Sequence, residues 1–155
     1  MKAPVTLVLL CAVLAIAGCG GGSDGSDEST ATAQKTKPNV NVPEGPPPKK
    51  LVVDDIEEGS GTAAEAYDVL TVEYVGVNYK TGQEFDSSWS RGEPFTFNLG
   101  AREVIRGWDR GLMGMKVGGR RELVIPPDLG YGETGTKSVP PNETLVFVVD
   151  LLSVE

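Results

Sequence analysis

The sequence predicts an α+β domain, a twisted antiparallel β-sheet wrapped over one short α-helix, preceded by a disordered stalk. Three observations carry that expectation. Several stretches beyond Lys50 alternate apolar and polar residues with the period of two that a half-buried strand requires. One stretch has the three-to-four-residue spacing of an amphipathic helix, and the residues just before Lys50 have almost nothing to bury.

Taken in chain order, residues 1–18 read as a lipoprotein signal peptide. After Lys2 the apolar run from Val5 to Ala17 is 13 residues long, shorter than the roughly 20 needed to span a bilayer. The run ends in Ile16-Ala17-Gly18-Cys19, which resembles the bacterial lipobox: an aliphatic and two small residues before the cysteine that is lipidated. That resemblance implies acyl chains on Cys19 and a protein exported and anchored to the outer face of a bacterial cell membrane. Two or more chains, at about 0.8 kcal/mol for each buried methylene, make such an anchor stable.

Residues 19–49 are expected to form the lipidated cysteine and a flexible tether. Gly, Ser, Thr, Asp, Asn and Pro dominate them, and such a segment cannot offset its own ordering entropy. A flexible chain of that length reaches about 30 Å, with a stiffer end at Pro46-Pro47-Pro48.

The folded domain is placed at residues 50–155. From Val69 to Val77, Leu70, Val72 and Tyr74 share one strand face, opposite Thr71 and Glu73. Phe95, Phe97 and Leu99 alternate with Thr96 and Asn98 in the same way. A third strand runs from Arg120 to Ile125 and stops at Pro126-Pro127, which cannot donate to a ladder. The last, Thr144 to Val154, sets Leu145, Phe147, Val149 and Leu151 on one face with a nearly apolar opposite face, which predicts a central position in the sheet. Val104, Ile105, Trp108 and Leu112 form the helix stripe, and Gly111 and Gly114 suit its end.

Composition excludes several kinds of chemistry. With 0 histidines there is no Ser-His-Asp triad, no Cys-His pair and no imidazole metal site. The 2 cysteines, Cys11 and Cys19, both precede the domain, so no disulfide or thiolate cage forms within it. A net charge of -8 argues against nucleic acid as a partner. No cofactor or metal is expected, and the domain is expected to be monomeric.

Within and between these elements lie Val72-Glu73-Tyr74-Val75-Gly76, Gly82-Gln83-Glu84-Phe85-Asp86-Ser87-Ser88 and Pro94-Phe95-Thr96-Phe97. They are followed by Val104-Ile105-Arg106-Gly107-Trp108, Gly130-Tyr131-Gly132 and Pro140-Pro141 through Phe147. In this order the segments resemble the FKBP family of peptidyl-prolyl isomerases, from about Lys50 to Glu155. The resemblance implies that Tyr74, Phe85, Asp86, Phe95, Val104, Ile105, Trp108, Tyr131 and Phe147 form the substrate pocket, with Trp108 at its floor. It implies catalytic roles for Phe85, Asp86, Trp108 and Tyr131. It also implies hydrogen bonds from the Ile105 amide and the Tyr131 hydroxyl to ligand carbonyls, proline-containing polypeptides as substrates, and macrolides as inhibitors.

Rotation about an X-Pro bond breaks no covalent bond, so a pocket that binds the twisted amide more tightly than the planar one is sufficient. The competing reading is a membrane-tethered peptide-binding or chaperone module with little turnover; weaker still is a surface protein using the fold as a scaffold. Taken one at a time, Phe95, Phe147 and Trp108 are core residues and Asp86 is a turn cap; the motif context assigns them to the pocket, and Phe97 stays in the core. The segment Glu133 to Val139, ETGTKSV, departs from the longer apolar loop of many family members, which leaves substrate preference open. Val139 is the candidate for an apolar lip.

Overall fold

The computed structural model describes residues 35–155, so the signal segment, Cys19 and the tether up to residue 34 lie outside the described residues. The strands are β1 (Val52–Glu57), β2 (Val69–Asn78), β3 (Glu84–Ser87), β4 (Phe95–Asn98), β5 (Arg120–Ile125) and β6 (Leu145–Val154). They form one antiparallel sheet in the order β1-β5-β6-β2-β3, with β4 pairing the other half of β2. Two short helices, α1 (Ser88–Arg91) and α2 (Arg106–Gly111), and a 3-10 turn at Pro127–Leu129 complete the domain.

β6 is central, as its apolar composition predicts. It pairs with β5 through Leu123↔Phe147 and with β2 through Tyr74↔Val149. Leu70, Val72 and Tyr74 join Leu145, Phe147, Val149 and Leu151 in the main core, on the face that holds Trp108 and Leu112. The alternation in sequence thus assigned the correct side chains to the inner face.

α2 is shorter than the stripe suggested. Val104 and Ile105 precede it, and Ile105 caps it in an extended conformation (φ -61, ψ 148). Gly107 and Gly111 let the helix lie close on β5: a Cβ on Gly107 would stand 2.5 Å from the Ile125 side chain, and one on Gly111 would stand 2.7 Å from Leu123. Gly111 is thus both the last residue of α2 and a contact residue, and the chain turns at Gly114, in the left-handed region at φ 72.

β1 and β3 have no alternating pattern and were not expected from sequence. All six residues of β1 are exposed. The strand is fastened by Arg121, which donates to both Asp55 carboxylate oxygens at 2.6 and 2.9 Å and to the Gly111 carbonyl at 2.9 Å. β3 is irregular because its pairing with β2 slips by one residue between Gly76 and Val77.

The segment from Lys35 to Gly45 corrects the expectation of a free tether over those residues, because it is held against the outer face of the sheet. Val40 and Val42 pack against Val75, Val77, Tyr79, Val124 and Val146. Lys35 pairs with Glu57 at 2.6 Å, and Arg120 donates to the Thr36 carbonyl at 2.9 Å while gripping buried Asp150 with two bonds of 2.7 Å. Lys37 reaches Glu84 at 2.8 Å and Ser90 at 3.0 Å. Composition alone hides this strap, since two valines gain burial energy only where another element offers an apolar face.

Candidate active site

The inner face of the sheet carries a ring cluster centred on Trp108. Its indole meets Tyr74 at 5.0 Å and Phe147 at 5.3 Å, both edge-on, and Phe97 at 5.6 Å and Phe95 at 6.3 Å. Such edge-to-face arrangements favour a fixed ring geometry over a loose apolar pool. Trp108 is buried, and its indole N–H has no acceptor among the described residues.

Above this cluster opens a cavity of about 560 Å³. Its walls include Tyr74, Phe95, Val104, Ile105, Trp108 and Phe147, and its rim holds Asp86 and Tyr131. The structure thus brings together every expected pocket residue except Phe85. That ring packs edge-on to Phe147 at 5.5 Å, outside the cavity lining. The slip in β3 register explains its position: Asp86 opposes Gly76 while Glu84 opposes Val77, which leaves Phe85 as the extra residue. Gly76 makes room for it, because a Cβ there would stand 2.7 Å from the Phe147 ring and 2.9 Å from Phe85.

Asp86 sits in a polar network at the rim. Its carboxylate accepts from the Tyr74 hydroxyl at 2.6 Å, from the Ser87 amide at 2.9 Å and from the Arg91 guanidinium. Arg91 also donates to the Tyr74 oxygen at 2.9 Å and lies over the Tyr74 ring. Burial, then the bond to Asp86, pushes the Tyr74 phenol up to about 12, so it remains a proton donor at any physiological pH. The bond to Tyr74 raises Arg91 further above its usual range.

α1 sets this geometry. Ser87 caps it by accepting from the Ser90 amide, and Gly92 closes it in the left-handed region, which returns Arg91 toward Asp86. The cap is therefore Ser87, which frees the Asp86 carboxylate for the network. Ser88, fully buried, holds the strand beneath by accepting from the Tyr74 amide at 2.8 Å and donating to Glu73.

Two residues that line the cavity carry hydrogen-bond donors unspent among the described residues. The Ile105 N–H donates to no carbonyl among the described residues. Tyr131 is 37 % exposed at the rim, and burial of its ring, then the charge of Asp86, raises its phenol. Val139 is buried in the core and is not part of the lining, so it provides no lip. In place of an apolar loop, residues 133–139 fold on Thr136, whose amide donates to the Val139 carbonyl at 2.8 Å and whose hydroxyl accepts from Val139 at 3.1 Å.

An aromatic floor, an acidic rim and two free donors suit an extended peptide with a proline ring turned inward. Residues 60–152 match the family model described as FKBP-type peptidyl-prolyl cis-trans isomerase, which is more than half of the chain. The chain belongs to this family. It is an isomerase of X-Pro peptide bonds, and its relatives agree with the fold. An FK506-binding protein of Streptomyces anulatus is 54% identical over 120 residues, covering 76% of this isomerase and 97% of the relative. FkpA of Escherichia coli is 48% identical over 105 residues, which is 68% of this chain but 38% of FkpA. The crystal structure of FkpA superposes with a TM-score of 0.63 at 47% identity, covering 68% of this chain and 48% of that one. That of AtFKBP13 gives 0.65 at 36% identity, covering 70% and 96%.

Sequence reading missed two residues of the isomerase's cavity, Arg91 and Glu103. A signal for Arg91 was present: a cation five residues after Asp86, just before a glycine, is positioned to return to the acid across one helical turn. Glu103 is neighbour to Val104, and its carboxylate is committed to Asn98, accepting from the backbone at 2.9 Å and from the side chain at 2.8 Å. Those bonds hold it below the usual carboxylate range.

Proposed function

We infer that this isomerase acts on X-Pro bonds of exported proteins, from a lipid anchor at Cys19, by stabilising the twisted amide without covalent chemistry. The observation that carries the mechanism is the pairing of a ring-walled cavity with the free Ile105 N–H and Tyr131 hydroxyl. The prolyl ring packs over Trp108, and the two donors hold flanking carbonyls of the substrate so that rotation is confined to one bond.

The barrier to that rotation is about 18–20 kcal/mol, and each tenfold in rate needs about 1.4 kcal/mol of preference for the twisted form. A planar amide carries separated charge that water stabilises, and the apolar walls withdraw that water. Asp86 acts in the same direction. A negative charge near the substrate carbonyl opposes the oxygen's partial charge in the planar amide, and that charge diminishes as resonance is lost. Tyr74 and Arg91 hold the carboxylate in position while Arg91 limits its field.

Substrates from the exported protein pool follow from the signal-like segment and the lipobox resemblance of Ile16-Ala17-Gly18-Cys19. The FK506-binding relatives make a macrolide ligand a proposal for the same cavity.

The test is cis/trans exchange of an Ala-Leu-Pro-Phe peptide measured by NMR with the full-length protein in nonionic detergent. Exchange is expected to be faster than in detergent alone and to be slowed by Tyr131→Phe and Asp86→Asn. Binding with no acceleration would leave a peptide-binding module instead. Cys19→Ser is expected to move the protein from membrane to soluble fractions, and retention on membranes would remove the anchor.

A further inference from the structure

Next to the prolyl cavity lies a second hollow of about 700 Å³, which shares Val104 and Ile105 with it. Arg102, Arg106 and Arg110 line this hollow, spaced four residues apart from just before α2 to its last turn, and all three are exposed. None forms an ion pair within 4.0 Å among the described residues, whereas Arg91, Arg120 and Arg121 are each paired with an aspartate.

The carboxylates nearest to them in sequence are committed elsewhere. Asp109, which also lines the hollow, accepts from the Gly100 amide at 2.8 Å, and Glu103 is bound to Asn98. A chain of net charge -8 has thus gathered three unpaired guanidinium groups at one edge of its active site. Unpaired cations that line one hollow repel one another, and a carboxylate placed among them relieves that repulsion.

We propose that this hollow is an accessory substrate site that takes acidic residues flanking the proline, so that the enzyme prefers acidic X-Pro segments. The proposal rests on the isomerase reading of the adjoining cavity. A polypeptide whose proline lies over Trp108 and whose carbonyl meets the Ile105 N–H passes along the wall that both hollows share. Its neighbouring side chains then come within reach of the arginines. A guanidinium fork binds a carboxylate through two parallel bonds, which makes arginine better suited to this task than lysine. The site is exposed, so each pair contributes little and the preference is strongest at low salt.

The test uses full-length protein in nonionic detergent and three peptides in which Ala-Leu-Pro-Phe is flanked on both sides by Glu, Gln or Lys pairs. Binding is read by NMR shift titration and turnover by exchange spectroscopy. The Glu peptide is expected to bind about fivefold more tightly than the Gln peptide at low salt, the order of a few exposed ion pairs, and Lys more weakly than either. In Arg102→Gln/Arg110→Gln, which keeps Arg106, the Glu-to-Gln ratio is expected to fall to less than about half of the parent's. Equal binding of Glu and Gln peptides by the parent, or an unchanged ratio in the variant, overturns the proposal.

A third arm measures sedimentation with phosphatidylglycerol vesicles. Loss of vesicle binding in the variant with the peptide ratio intact would assign the arginines to the membrane and refute the substrate site. Because binding is read apart from turnover, a protein that prefers Glu peptides but accelerates none would overturn the isomerase reading alone. Rapid turnover without preference would overturn only the accessory site.

Discussion

The two faces of one sheet are both covered, but by different means. On the inner face, Trp108 and four aromatic partners form a dense cluster that is left open at one end as a ring-walled cavity. On the outer face, Val75, Val77, Tyr79, Val124 and Val146 are closed by a polar strap that contributes only Val40 and Val42. The inner face is left open at the cavity, whereas the outer is covered. The difference teaches that the nearly apolar outer side of β6 reflects a covering segment as well as a central position. The strap also touches the site from behind, since Lys37 holds Glu84 and Ser90 on either side of Asp86.

The largest expected effect is on the inner face. Trp108→Ala removes the hub of the cluster and should cost about 3–5 kcal/mol of stability, measured by urea denaturation. Isomerase exchange should fall by more than about tenfold even at temperatures where the variant remains folded, since a tenfold loss needs only about 1.4 kcal/mol of transition-state preference. A folded variant with the parent rate would break the assignment of the cavity floor.

Next is the outer face. Val40→Ser/Val42→Ser should destabilise the protein by about 2 kcal/mol, because two partly buried valyl side chains lose their apolar partners. Turnover per folded molecule should stay close to the parent's. Unchanged stability would make the strap a passenger, and a lost rate with full stability would join it to the catalytic rim.

A smaller effect tests the rim by pH. The Tyr74 phenol lies higher in the folded protein, at about 12, than its unfolded value near 10. Its contribution is therefore fully present below about 10 and is lost as the pH rises toward 12. Spectrophotometric titration should show a tyrosine step near 12 that is absent in Tyr74→Phe, whose stability should lose the Tyr74 contribution to pH dependence in that window. A step near 12 that persists in the variant would assign it to another residue.

The smallest effect is at the sheet edge. The bond from Arg121 holds the Asp55 carboxyl below its usual range, so this contribution is present above the unfolded value and fades as pH falls through the folded one. Because Asp55 is exposed, Asp55→Asn should cost at most about 1 kcal/mol near neutral pH and much less in acid. A cost independent of pH would mean that β1 is held by its backbone ladder and not by this ion pair.

Much of the fold was legible because burial imposes a period on the sequence. Leu70, Val72 and Tyr74, or Leu145, Phe147 and Val149, alternate because one side of each strand meets the core. β1 left no such trace, being exposed on both sides and held by Arg121 from another strand. Phe85 resembled a pocket residue by its neighbours, yet a slip in register, invisible in a one-dimensional pattern, turned it against Phe147. Residues 35–49 looked like a tether because their composition alone cannot support a core.

By itself the sequence determined the strand and helix periods, the family motifs and the exclusion of imidazole and thiolate chemistry within the domain. Those properties depend on residue type and on neighbours a few positions away. Only the tertiary structure decided that Arg91 closes on Asp86 and Tyr74, that the strap covers β2, β5 and β6, and that three arginines share a wall with the prolyl cavity. Each of these is a meeting of side chains brought together by chain topology, and hydrogen bonds, ion pairs and burial exist only once that meeting has occurred.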